Sequence, residues 1–104
     1  MSSLPRAACR WAAAALLLAL LAAACAVPDG AAVYEREGCG DCHSVAGQGG
    51  RLGPDLTAVA GRLPPAAIRA YIRDPAGQNP AARMPAYPHL SEAELHALAR
   101  FLER

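Results

Sequence analysis

The sequence has no lysine, no second Cys-x-x-Cys pair, no His-x-x-x-His pair and no run in which polar and apolar residues alternate. Each gap removes a class of protein. All ten basic residues are arginines, set against nine acidic ones for a formal charge of +1. With a pI of about 7.7, the chain lacks the basic footprint of a nucleic-acid binder, so nucleic acid is not an expected partner. Without strand-type alternation, a βαβ framework is not expected either, and helices are. A length of 104 residues gives at most one small domain and excludes a multidomain enzyme. No nucleophile, base and acid are grouped in a way that argues for substrate chemistry, so neither enzymatic activity nor a small-molecule substrate is expected.

What the chain does have begins at the amino end. From Trp11 to Val27 there are 17 residues without a charge, preceded by Arg6 and Arg10. As a helix this run reaches roughly 26 Å, short of the ~30 Å hydrocarbon core of a bilayer. A basic start, an apolar stretch from Trp11 to Leu21 and the small residues Ala22, Ala23 and Ala24 before Cys25 read as an export signal, residues 1–24, cut just before Cys25. The cysteine after small residues resembles the lipobox of bacterial lipoproteins, which implies acylation of Cys25 and a membrane tether. The leucine usual three residues before that cysteine lies one place earlier here, at Leu21. Ordinary signal cleavage at an Ala-x-Ala site and an uncleaved anchor are the other two readings.

Removing residues 1–24 leaves 80, with eight arginines against nine acidic residues. A domain of that size buries only ~60% of the surface that its unfolded chain exposes, so it needs a staple: a disulfide, a metal or a cofactor. The staple is written at Cys39-Gly40-Asp41-Cys42-His43. This is Cys-x-x-Cys-His, the signature of covalent c-type haem attachment, in which two thiols add to the haem vinyl groups and the adjacent imidazole binds iron. A structural zinc site would need a further ligand knuckle, and a thioredoxin-like pair would need its βαβ frame. A plain disulfide would leave His43 without a purpose.

Iron held by His43 has an opposite face to fill. The mature chain has one methionine, Met84, within Arg83-Met84-Pro85-Ala86-Tyr87-Pro88. The prolines make that loop extended and stiff, suited to holding a sulfur over a haem face. A thioether there raises the reduction potential. His89 and His96 are the rival ligands: His89 falls just before a predicted helix and His96 within it, and both read as surface residues.

Taken together, residues 31–104 resemble the small class I cytochromes c. The resemblance rests on the haem motif, on Gly53-Pro54-Asp55-Leu56, on Met84-Pro85 and on the terminal stretch from Leu90 to Leu102. It implies an all-α fold, a few helices wrapped around one covalently bound haem c, with Cys39, Cys42, His43, Pro54 and Met84 as the cofactor-binding residues. His43 and Met84 would be the iron ligands, and the Pro54 carbonyl would accept from the proximal imidazole Nδ1–H. Residues 25–32 read as a short linker and 33–104 as the cytochrome domain.

Local signals place the helices. Ala31 to Glu37 forms a short one, with Gly38 allowing a tight exit. Four glycines between Gly47 and Gly53 argue against regular structure there. Pro64 and Pro65 open a second helix to Arg73, with Ile68, Tyr71 and Ile72 on one face, and Asp74-Pro75, Gly77 and Pro80 end it. In the last helix Ser91 and Glu94 form a capping box, with Leu90 and Leu95 as its hydrophobic staple. Its stripe of Leu95, Leu98, Ala99 and Leu102, widened by Ala97 and Phe101, is expected to cross the first helix near Val33 and Tyr34. With both axial positions closed, the expected task is single-electron transfer between redox proteins or respiratory membrane complexes, on the periplasmic side of a bacterial membrane. The alternatives are a haem subunit of a larger respiratory complex, or a haem enzyme or gas sensor with a displaceable Met84. Arg51 and Arg83 are candidates to meet the haem propionates, with a solvated surface role as the simpler reading of each.

Overall fold

The computed structural model describes residues 6–24 and 26–104; Cys25, the expected acylation site, lies outside them. The Ala/Leu-rich stretch forms helix α1, Arg6–Ala24, as strong helix formers should. Trp11, Leu16, Leu17, Leu18 and Leu20 on it are exposed. Among the described residues, no helix is both long and apolar enough to cross a membrane.

Helix α2 runs Gly30–Arg36, one residue earlier than expected, because the Asp29 side chain caps it by accepting from the Ala31 N–H at 3.0 Å. Gly38 ends the turn in the left-handed region, φ 71°. A 3-10 turn over Cys39–Asp41 follows. The glycine-rich stretch is more regular than its composition suggests: β1 (Ser44–Val45) and β2 (Gln48–Gly49) pair antiparallel, with Val45 opposite Gln48. The two loop residues, Ala46 and Gly47, both have positive φ, 51° and 81°, as a type I′ hairpin turn requires. Thr57 completes the hairpin from outside, its Oγ1 accepting from the Ala46 N–H at 3.0 Å.

Helix α3, Pro65–Arg73, opens on its prolines as expected and buries Ile68. The segment after it does more than stop: Asp74 closes α3 and also caps α4, Pro75–Gln78, its carboxylate accepting from the Gly77 N–H at 3.1 Å. Helix α5, Glu92–Phe101, carries the capping box, with the Ser91 hydroxyl accepting from the Glu94 N–H and the Glu94 carboxylate from the Ser91 N–H, both at 3.1 Å. Leu90 and Leu95 are buried in one cluster with Val33 and Leu98. A second cluster joins Val59, Ile68, Ala99 and Leu102. Helix α5 thus packs on both α2 and α3 and is the hub of the domain. Tyr34 lies against Phe101 with ring centroids 5.0 Å apart, so the expected crossing of the first and last helices of the domain is present. The crossing is close: a Cβ on Gly30 would lie 2.1 Å from the Ala97 carbonyl oxygen.

Candidate functional site

The Cys-x-x-Cys-His segment is a single tight turn. The N–H groups of Cys42 and His43 both donate to the Cys39 carbonyl, at 3.3 and 3.0 Å, which sets both thiols and the imidazole along one turn. From behind, the Gly50 N–H donates to the Gly40 carbonyl at 2.8 Å and the Gly53 N–H to the Cys42 carbonyl at 2.7 Å. The glycine-rich loop is therefore a brace for the motif.

His43 is nearly buried, and its Nδ1 lies 2.8 Å from the Pro54 carbonyl oxygen. A carbonyl only accepts, so Nδ1 carries the proton and Nε2 keeps its lone pair. The ring has no slack on one side, because a Cβ on Gly53 would lie 2.6 Å from His43 Cε1. The Pro54 carbonyl is itself held in place: the Leu56 N–H donates to the Ser44 carbonyl at 2.8 Å, and the Thr57 N–H donates to Asp55 at 2.9 Å. The Thr57 hydroxyl also donates to Asp55, and that hydrogen bond, followed by the one from the Thr57 N–H, holds the Asp55 carboxyl below its ordinary range.

Cys39, Cys42, His43, Pro54 and Met84 all line one cavity of about 590 Å³. The helices supply its apolar wall, through Ile68, Ile72, Leu98 and Leu102, with Leu56 and Val59 from the loop that follows Pro54. Cys39 and Cys42 are half-buried and form no disulfide, and burial pushes the Cys39 thiol up from its ordinary value. Met84 is half-buried in its loop. His89 and His96 are exposed and absent from the cavity wall, which is the surface placement expected of them. Of the two arginines singled out, Arg83 lines the cavity and Arg51 does not.

Sequence reasoning missed Arg62, Tyr34, Tyr71 and Tyr87, which also line the cavity. Tyr34 and Tyr71 were legible as helix-face residues but not as cavity residues, and Arg62 carries no local signal. The Tyr34 hydroxyl is buried with no hydrogen-bond partner among the described residues; burial, then the nearby Cys39, raises its pKa. An orphaned hydroxyl costs about 1–3 kcal/mol. An apolar cavity with one free imidazole nitrogen, two thiols on one edge, a thioether and an unsatisfied hydroxyl suits a large flat metallocofactor with a polar rim. It does not suit a bare metal ion: among the described residues no three His, Cys, Asp or Glu side chains are grouped to hold one.

Fold and cavity together define a c-type cytochrome domain. The chain matches, over residues 25–102, the family described as cytochrome C oxidase, cbb3-type, subunit III, and it belongs to that family. It is also 37% identical over 82 residues to a cytochrome c oxidase subunit 2 of Alkalihalophilus pseudofirmus; the match covers 71% of this chain and 24% of the relative. The chain thus spans about a quarter of that curated relative. Domains of this family bind haem c, and the cofactor of this chain is a covalently bound haem c.

Proposed function

We propose that Cys39 and Cys42 would hold the haem through thioether links and that His43 and Met84 would ligate its iron. When bound, the haem supplies one reversible electron step between Fe(III) and Fe(II). The observation that carries this reading is the Pro54–His43 hydrogen bond, which engages Nδ1 and leaves Nε2 as the ring nitrogen available to a metal, in a wall shared with both cysteines and Met84. The Pro54 carbonyl makes that nitrogen more basic, Met84 favours the reduced iron, and the helices keep water from the cofactor.

With both axial positions filled by the protein, the domain passes electrons and performs no substrate chemistry of its own. Its partners are redox proteins of a respiratory chain, and it works either as a mobile carrier or as part of an oxidase. The second of these is favoured by the names of the matching family and of the oxidase subunit. Residues 1–24 direct export to the periplasmic side, 25–32 form the linker and 33–104 the electron-transfer domain. Cys25 is the acylation site of a membrane tether, a reading supported by the lipobox-like sequence before it.

One mass measurement on protein matured in a host that attaches c-type haem tests the assignment. The expected mass is that of the chain from Cys25 plus one haem, with a further increment if Cys25 is acylated. A mass without haem, or a ferrous protein that is high-spin, would overturn the ligand assignment.

A further inference from the structure

Among the described residues, Arg83–Ala86, which carry Met84, make no main-chain hydrogen bond to the rest of the protein. They hang between two feet. The first is a turn within its own segment, where the Ala82 N–H donates to the Asn79 carbonyl at 2.9 Å and the Ala81 N–H to the Asn79 side chain at 3.0 Å. The second ties the loop to the body: the Tyr87 N–H donates to the Ile72 carbonyl at 3.2 Å, Leu90 is buried in the core, and His89 Nε2 lies 2.9 Å from Glu37 Oε2. Glu37 stands two residues before Cys39, so this contact joins the Met84 loop to the segment that leads into Cys39, which lines the same cavity.

The geometry points to Glu37 and His89 as positioning residues that hold the Met84 loop over the cavity. This rests on Met84 being an iron ligand, as proposed above. Glu37 is mostly buried while His89 is mostly exposed. Arg36 engages the other Glu37 oxygen at 3.2 Å and also pairs with Glu94 on α5, so Glu37 is fixed to the body of the domain. Tyr87 lies beside His89, with ring centroids 5.9 Å apart and planes tilted by 47°. The hydrogen bond from His89, more than any other group, holds the Glu37 carboxyl below its usual range.

The test is carbon monoxide binding to the ferrous holoprotein, since this ligand binds only when Met84 leaves. Glu37→Gln and His89→Gln are expected to bind about two- to fivefold faster than wild type, the range that a partly exposed ion pair supports. His89→Arg, which keeps a partner for the Glu37 carboxylate, should bind no faster than wild type, a rescue that a merely structural role would not produce. Glutamine variants that bind at the wild-type rate, or a His89→Arg variant as fast as them, overturn the inference. A wild type as fast as Met84→Ala overturns the ligand assignment instead.

Discussion

His43 is controlled by main-chain atoms, not by other side chains: a carbonyl at Nδ1 and a glycine α-carbon against the ring. The two contacts respond differently to mutation. Pro54→Ala keeps the acceptor and should change the reduction potential little. Gly53→Ala places a methyl where the imidazole lies, and overpacking of this kind costs about 1–3 kcal/mol. Gly53→Ala should therefore lower both the melting temperature and the yield of haem-loaded protein, read from the Soret absorbance per chain. A second residue runs the other way. Ala46 has φ 51° at the first loop position of the hairpin, where an L side chain is strained and Asn is favoured. Ala46→Asn should stabilise by about 0.5–1 kcal/mol, a rise of a few degrees in the melting temperature of a domain this small.

At the scale of elements, Glu94 does two jobs at the start of α5, accepting from the Ser91 N–H and pairing with Arg36 on α2. The Arg36 hydrogen bond, followed by those from Ser91, holds its carboxyl at about 2 against a usual 4.5. A folded pKa below the unfolded one stabilises fully above the unfolded value and is lost as pH falls through the folded one. Glu94→Gln should therefore be less stable than wild type in urea melts at pH 7, and the gap should close between pH 4.5 and about 2. Ser91→Ala should cost about 1 kcal/mol at any pH. Helix α5 was legible because its cap, staple and stripe are all local. The hairpin was not, since its loop uses an alanine in a glycine conformation and its closing hydrogen bond comes from Thr57, distant in sequence. Helix α4 was missed because Asp74-Pro75 reads equally as a stop and as a start, and here it is both. The proximal half of the site is contiguous in sequence, and Met84 stood out by its proline-rich surroundings. Arg62 and Tyr34 line the cavity only because segments distant in sequence pack together, which no local pattern encodes.

For the whole molecule, the core is thin and built around a cavity. The two apolar clusters meet along α5, and Leu98 and Leu102 belong to a cluster and to the cavity wall at once. A domain of this size is marginal without a staple, so the cofactor is part of its stability as well as of its chemistry. Cys39→Ala combined with Cys42→Ala should remove covalent attachment and leave a protein that is cleared from cells or melts without a cooperative transition by circular dichroism. Met84 separates the two roles. Met84→Ala leaves both thiols intact and should retain haem through denaturing electrophoresis, while the reduction potential falls and carbon monoxide binds readily. Met84→His should also retain haem and resist carbon monoxide, because a second imidazole closes the iron again, but at a potential below that of wild type. If sulfur at position 84 sets the potential, His and Ala variants will both fall below wild type and differ in ligand binding. If Met84 only fills space, Met84→Leu, similar in volume, will match wild type in both measurements, whereas a ligand role requires Met84→Leu to behave as Met84→Ala does.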